Sequence, residues 1–142
     1  MIYDKETVLK MCHEMCKNTL MEALQIEFID AGPDFLTAKM PVTPTVHQPM
    51  GLLHGGASVA LAESVGSAAS LFFVDNDKFE ARGIEISANH VKAKRNGTVF
   101  ATAKLVHQGK SIHLWEIRIV DENGHLISIS KITNMIIPKR DR

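Results

Sequence analysis

The chain has 142 residues, of which 45% are hydrophobic and 23% are charged, which is the balance of one ordinary globular domain. Sixteen basic residues offset sixteen acidic ones, so the overall charge gives no indication of a nucleic-acid partner. The first residues contain no apolar segment of the kind found in secretory signal peptides, and we therefore expect a cytoplasmic protein.

The first predicted element is an amphipathic helix over residues 1–20, with its regular pattern from Asp4 onward. Two cysteines lie one helical turn apart on its apolar side, a spacing that suits reduced thiols better than a disulfide. His13 points to another side of this helix and no second pair of ligands follows, so we expect no metal site. The apolar stripe consists of Val8, Met11, Cys12, Met15 and Cys16.

Two strands are predicted next, over residues 24–31 and 35–41, joined by the turn Gly32-Pro33-Asp34. A polar loop containing three prolines follows and ends at His54-Gly55-Gly56. Residues 56–73 contain no proline and predict a long helix.

The remaining chain alternates in hydrophobicity as strands do, beginning with Ile84, Ile86 and Ala88. Asn96-Gly97 and Asn123-Gly124 are hairpin signals, and Gly109 marks a turn between them. The pattern predicts a four-stranded antiparallel meander, with its last strand over 126–136, that the two earlier strands can join.

The middle helix is unusual because Glu63 is its only charged residue and most of its other side chains are small. A membrane span would carry more large apolar residues and no central carboxylate. Such a helix needs cover on most sides, which a curved sheet wrapped around it provides. The sequence therefore predicts one α+β domain over residues 1–142, ending in a short basic tail at 138–142.

The same helix contains the best candidates for chemistry. Glu63 and Ser67 are four residues apart and share a face, so the lone carboxylate is either paired structurally or acts as a base or nucleophile. Gly55 lies where the helix begins, and its amide either favours the developing negative charge of an acyl intermediate or belongs to a glycine that only permits a tight turn. Gln48 and His54 are further donors or, equally well, ordinary loop residues.

Distance constrains how these groups can cooperate. Gly55 and Glu63 are eight positions apart, which is roughly 12 Å along a helix at 1.5 Å per residue. A single carbonyl needs both groups within about 3 Å, which one chain cannot provide. A two-fold dimer with antiparallel central helices can, and it predicts two composite sites.

The string QPMGLLHGGASVALAESVGS at 48–67 resembles the hotdog-fold acyl-CoA thioesterases. The likeness is greatest to the branch containing the dihydroxynaphthoyl-CoA thioesterase of menaquinone synthesis and the enterobactin-pathway proofreading thioesterase. It continues through GIEISANHVK at 83–92 and HQGKSIHLWEIRI at 107–119.

This resemblance implies a hotdog fold, thioester hydrolysis without a cofactor, and a dimer of dimers with shared sites. It implies that Glu63 is the catalytic carboxylate, that the Gly55 amide polarises the carbonyl and that Ser67 assists the attacking water. Gln48 and His54 would line the site from the partner subunit. The residues implied to hold the CoA arm are Gly83, His90, Val91, Lys92, Ala93, His107, Gln108, Gly109, Lys110, Ser111 and Ile112.

Several questions stay open at this point. Phosphates favour cations such as those near the strand ends, although each is equally well a solvated turn residue. The acyl group and its carrier, coenzyme A or a carrier protein, are not specified. A hydroxyacyl dehydratase or an acyl-CoA-binding sensor on the same fold are the alternatives. The strand-end cations are Lys92, Lys94, Arg95 and Lys110, and the candidates for an acyl pocket are Met50, Val65, Phe72 and Phe73.

Overall fold

The computed structural model describes residues 1–140, so Asp141 and Arg142 of the predicted basic tail lie outside the described residues. These 140 residues contain three α-helices: α1 over Lys5–Cys16, α2 over Leu20–Ala23 and α3 over Gly55–Leu71. A short 3-10 helix, Pro44–Val46, lies in the proline-containing loop. None of the helices within residues 1–140 has the length and hydropathy needed to cross a membrane.

The predicted N-terminal helix is in fact two helices. Asn18 adopts a left-handed conformation with φ of 57°, which ends α1 and lets the chain turn before α2. Cys12 and Cys16 lie on the buried side of α1, while His13 Nε2 lies 3.2 Å from the Phe28 carbonyl. Burial, with a smaller effect of Cys16, raises the pKa of the Cys12 thiol to about 12, so it stays protonated and unreactive.

Six strands form one antiparallel sheet in the order β1-β2-β4-β5-β6-β3. The four strands after α3 therefore do not form the predicted meander. β3 pairs with β6 at the far edge of the sheet and makes no ladder with β4. The strands are β1 Glu27–Gly32, β2 Phe35–Pro41, β3 Phe79–His90, β4 Thr98–Gln108, β5 Ile112–Val120 and β6 Leu126–Pro138.

The prediction of a meander was wrong for a physical reason that lies at Asn96-Gly97. Gly97 does have the left-handed φ of 82° that a turn requires, but its carbonyl accepts from Val42 N–H at 2.8 Å, beside β2. β4 is thus paired with β2 on one side and β5 on the other, which leaves no free edge for β3. Alternation of side chains indicates a strand but does not identify its partner.

The sheet wraps around α3, as predicted, and α3 packs against β2 to β6. Small residues permit this close approach: a methyl group on Gly66 would lie 2.6 Å from Ile132 Cγ2. The core on this side contains Trp115, Ile117 and Leu61, all without exposed surface. The α+β architecture is confirmed.

A buried polar network fastens α3 to β5 and β6. Asn134 Nδ2 donates to the Gly66 carbonyl at 2.9 Å and to Ser70 Oγ at 2.7 Å. Trp115 Nε1 donates to the same Ser70 oxygen at 2.8 Å, and His113 Nδ1 lies 3.2 Å from it. Because Ser70 already accepts two hydrogen bonds, its own proton is available to His113, which must then be neutral.

One side of α3 is open, while the sheet covers the others. Gly56 and Glu63 are exposed, and Ala60, Ser64 and Ser67 are partly exposed along the same stripe. The adjacent edge strand β3 also exposes most of its residues and is paired only with β6. Within one chain, the carboxylate predicted to be buried faces solvent.

Candidate active site

Most backbone N–H groups in the first turn of α3 already donate hydrogen bonds within the chain. His54 is the N-cap, and its Nδ1 accepts from Gly56 N–H at 2.7 Å. The His54 carbonyl accepts from Ala57 and Ser58 N–H at 3.0 and 3.1 Å. Among residues 1–140, Gly55 N–H donates no hydrogen bond. The first turn therefore offers one free amide, and it belongs to the glycine that the sequence indicated.

Gly55 is a glycine because another side chain occupies the space beside it. A Cβ at this position would lie 2.8 Å from Nε2 of His90, the last residue of β3. The His90 ring is held on its other side, where Nδ1 lies 3.2 Å from Ser128 Oγ. His90, assigned from the resemblance to the CoA arm, thus contacts the helix start itself.

Gln48 is oriented by its own loop. Its Oε1 accepts from the Met50 N–H, and its carbonyl accepts from Gly51 N–H at 3.0 Å. A backbone N–H can only donate, so this contact fixes Oε1 as the acceptor and leaves Nε2 available as a donor. Gln48 is therefore preorganised to donate a hydrogen bond.

These groups surround a cavity of about 310 Å³, which we call the amide pocket. It brings Gln48 and Gly55 together with the segment that follows β3. Its lining consists of Gln48, Leu52, Leu53, Gly55, Ser58, His90, Val91, Lys92, Ala93 and Ile127.

Glu63 lies at a different place on α3, against β3. A Cβ on Gly83 would lie 3.1 Å from Glu63 Oε1 and 3.4 Å from Ser67 Oγ. The β3–β6 register shifts between Gly83 and Glu85, so the strand is irregular where it passes the carboxylate. Gly83, assigned from the resemblance to the CoA arm, is a neighbour of the acid.

A second cavity of about 270 Å³, the acid pocket, opens in front of Glu63 and Ser67. Its far walls come from α1 and α2, which the sequence did not connect with the site. Met15 had been interpreted as part of the buried stripe of α1, but it is 37% exposed and faces this cavity. The lining consists of Met15, Thr19, Leu20, Met21, Glu63, Ser64, Ser67, Ala68, Leu71 and Ala81.

The amide pocket and the acid pocket have no lining residue in common. The free amide and the carboxylate are eight residues apart on one α-helix, which corresponds to roughly 12 Å along its axis. In a single chain the free amide and the carboxylate therefore belong to two separate pockets.

The turn at 107–112 lies far from the amide pocket. Ile112 pairs with Met135 near the Phe79 end of β3, whereas His90 ends β3 at the opposite side. The twelve residues of β3 span roughly 40 Å. Gln108, Gly109 and Lys110 line a separate cavity of about 280 Å³ that also contacts Phe73 and His113.

The predicted cluster of phosphate-binding cations is divided in the same way. Lys110 lies at the turn, whereas Lys92 lies at the amide pocket. Lys94 forms an ion pair with Glu122, and this ammonium together with Thr98 N–H lowers the pKa of the Glu122 carboxyl to about 2. In one chain the cations therefore form two surfaces, and Lys94 already has a partner.

The expected lining of the acyl pocket is wrong for two of its residues. Val65 and Phe72 have no exposed surface and belong to the core. Phe73 packs edge to face against Trp115 with ring centroids 5.3 Å apart, at the end of α3 away from the amide pocket. Met50 is exposed in the loop that Gln48 orients. Apolar character alone did not distinguish core positions from cavity walls.

Comparison with known proteins gives consistent matches over the whole length of the chain. The model of the thioesterase superfamily matches residues 50–128. The 1,4-dihydroxy-2-naphthoyl-CoA hydrolase of Escherichia coli is 40% identical over 96% of this chain and 100% of that protein. The proofreading thioesterase EntH of Cronobacter turicensis is 39% identical over 96% of this chain and 99% of that protein.

A solved structure agrees with the fold. The crystal structure of a thioesterase from Haemophilus influenzae superposes with a TM-score of 0.93, at 35% identity, and the match covers 100% of this chain and 99% of that one.

Proposed function

This chain belongs to the thioesterase superfamily, and on that premise we propose that it hydrolyses acyl- or aryl-coenzyme A thioesters at sites shared between two copies. The expected hotdog fold and thioester hydrolase class are confirmed by the family match and the similar structures. The residues, the acyl carrier and the assembly that follow are our proposal.

One observation supports the proposal most strongly. The free Gly55 amide and the exposed Glu63 carboxylate lie on the same helix, in separate pockets and too far apart to act on one carbonyl. An amide donor and a carboxylate are the groups that thioester hydrolysis requires, and neither group is sufficient for the reaction without the other.

A second copy packed antiparallel on α3 resolves this separation. It would cover the open stripe around Glu63 and bring the Gly55 end of its own helix to that carboxylate. The long edge strand β3 has unpaired backbone groups on one side, which suits addition of a partner strand. By the resemblance, two such dimers would form the tetramer.

The same pairing would bring together the two separated groups of residues that the resemblance assigns to the CoA arm. Antiparallel β3 strands bring the Phe79 end of one copy, near its 107–112 turn, toward the His90 end of the other. His90, Val91, Lys92 and Ala93 could then bind one part of the coenzyme and the turn of the second copy another.

In the proposed reaction, Gly55 N–H and Gln48 Nε2 donate to the thioester carbonyl oxygen. His54 supports this geometry by capping the helix, since its Nδ1 occupies the neighbouring Gly56 N–H and leaves Gly55 free. Glu63 of the other copy either attacks the carbonyl carbon or takes a proton from water that Ser67 positions. Coenzyme A leaves as the thiol.

Substitution of Glu63 tests the catalytic assignment. We expect Glu63→Gln, which keeps the size of the side chain, to lower kcat by at least about 10²–10³-fold with an unchanged fold. Purified protein would be assayed with benzoyl-CoA and hexanoyl-CoA, and its fold checked by circular dichroism. Near-normal hydrolysis by a folded Glu63→Gln protein would refute the assignment.

Subunit mixing tests the shared site. In a hybrid of Glu63→Gln and Gln48→Ala chains, one site receives both substitutions and the other receives none. We expect activity to rise on mixing, toward half of the wild-type activity per hybrid dimer. If mass spectrometry demonstrated exchange but activity stayed at the sum of the two variants, the sites would lie within single chains.

A single turnover in H₂¹⁸O separates the two chemical routes. Direct attack by Glu63 forms an anhydride, and water that opens it at the side-chain carbonyl leaves ¹⁸O in Glu63. General-base catalysis places ¹⁸O only in the released acid. Detection of ¹⁸O in the peptide containing Glu63 by mass spectrometry would therefore demonstrate the anhydride route.

A further inference from the structure

From the acid pocket we infer that α1 and α2 form the acyl-binding wall, and that this wall selects uncharged acyl groups and rejects acyl groups with a distal carboxylate. The inference rests on the proposed function, because it requires Glu63 to be the group that meets the thioester. It adds a substrate class and the residues that determine it.

The wall is apolar, and its large exposed side chains come from the N-terminal segment. Beyond Glu63 the cavity is bounded by two methionines, two leucines and two alanines. Leu20 is 63% exposed and Met15 is 37% exposed, although both are large apolar side chains. Apolar side chains that are exposed together around a cavity are typical of a surface that a ligand or a partner covers. The six residues are Met15, Leu20, Met21, Ala68, Leu71 and Ala81.

Two hydroxyl groups in this wall already donate hydrogen bonds to backbone carbonyls. Thr19 Oγ1 donates to the Cys16 carbonyl at 2.6 Å, and Ser64 Oγ donates to the Ala60 carbonyl at 2.7 Å. Ser67 remains beside Glu63, at the position of the reacting carbonyl rather than of the distal acyl group. The far part of the cavity therefore has acceptors but no free hydroxyl donor.

Among residues 1–140, no cation lines this cavity, and Glu63 is its only ionisable lining residue. A carboxylate at the far end of the acyl group would lose its water without gaining a cation or a hydroxyl donor, and it would also be repelled by Glu63. A ring hydroxyl, by contrast, can donate to Thr19 or Ser64, because each oxygen retains lone pairs. Flexible methionine side chains adapt to rings and to chains alike.

The matched substrates are hexanoyl-CoA and adipoyl-CoA, which have the same number of acyl carbons and differ in one terminal carboxylate. We expect wild-type kcat/KM for hexanoyl-CoA to exceed that for adipoyl-CoA by at least about 100-fold. Benzoyl-CoA and hexanoyl-CoA should differ by less than about tenfold, because methionine adapts to either shape.

A cation introduced into the wall should change this preference. We expect Leu20→Lys to reduce the hexanoyl-to-adipoyl ratio by at least about tenfold, through better use of adipoyl-CoA. Met15→Lys is a second variant at another point of the wall. Ile2→Lys is the control, since Ile2 is 60% exposed and lies outside the cavity lining. Thermal melting would confirm that each variant is folded.

The outcomes separate the two proposals. Equal use of hexanoyl-CoA and adipoyl-CoA by the wild type would overturn the inferred selectivity while leaving the thioesterase proposal intact. An unchanged ratio in both folded lysine variants would show that α1 and α2 are not the acyl wall. Hydrolysis of no acyl-CoA at all would overturn the proposed function and the acyl wall with it.

Discussion

Gly83 lies directly against Glu63. A methyl group on the Cα of Gly83 would lie 3.1 Å from Oε1 of the carboxylate and 3.3 Å from Ile132 Cδ1. The edge strand β3 therefore approaches α3 as closely as it does because this position has no side chain.

Gly83→Ala should displace the Glu63 carboxylate by a few tenths of an ångström. We expect kcat to fall by about tenfold or more, since catalytic groups tolerate little displacement, while the fold is kept. Steady-state kinetics and urea unfolding would measure the two effects. Ser87→Ala, an exposed position on the same strand, is the control and should change neither. Equal losses in both variants would argue against a specific contact.

Gly55→Ala tests whether the space beside the free amide matters. Its Cβ would lie 2.8 Å from His90 Nε2, so the ring must move while the amide is retained. We expect kcat/KM to fall by about 10–100-fold in the wild type. In a His90→Ala background the same substitution should cost at least fivefold less, because the clash is gone. An identical cost in both backgrounds would mean that the ring is not responsible.

Asn134 should be among the most sensitive residues of the β6 strand. It is fully buried and makes two hydrogen bonds to α3, at the Gly66 carbonyl and Ser70 Oγ. We expect Asn134→Ala to lower the free energy of unfolding by about 2–3 kcal/mol, from lost hydrogen bonds and a cavity. Urea denaturation would measure this loss.

Two further variants define the cause of that loss. Asn134→Asp keeps the volume but removes both N–H donors, and it should cost at least as much as Asn134→Ala. Thr133→Ala, on the opposite face of β6, should cost less than about 1 kcal/mol. A stable Asn134→Asp protein would show that packing, and not hydrogen bonding, is what the residue contributes.

His113 should make the protein less stable as the pH falls. Burial, with a smaller effect of His107, lowers the pKa of His113 below its ordinary value of 6.5. In the pH range between the lowered pKa and 6.5, the unfolded chain binds the proton and the folded chain does not. Stability is therefore full above pH 6.5 and is lost progressively below it.

Urea unfolding of the wild type and His113→Gln at pH 7.5 and 5.5 would measure this contribution. Glutamine can still accept from Ser70 through its carbonyl oxygen but does not titrate. We expect the loss of stability between the two pH values to be smaller in His113→Gln. If both proteins lost the same free energy, other histidines would account for the pH dependence.

The sequence was sufficient for those features that depend on local patterns. The long helix with one carboxylate, the glycine at its start and the alternating strands are set by residues close together in the chain, and all were predicted near their observed positions. The separation of Gly55 from Glu63 also followed from the sequence, because helix geometry fixes the distance along the axis. The resemblance to one family added roles for these residues.

Only the tertiary structure decided which residues lie beside this helix and these strands. The alternation in β3 could not reveal that it pairs with β6, because many partners satisfy the same pattern. Nor could the stripe of α1 reveal that Met15 faces the cavity of Glu63, since core and cavity walls use the same apolar residues. Contacts between distant segments depend on how all the elements fit together, and that fit is what exposes one side of α3.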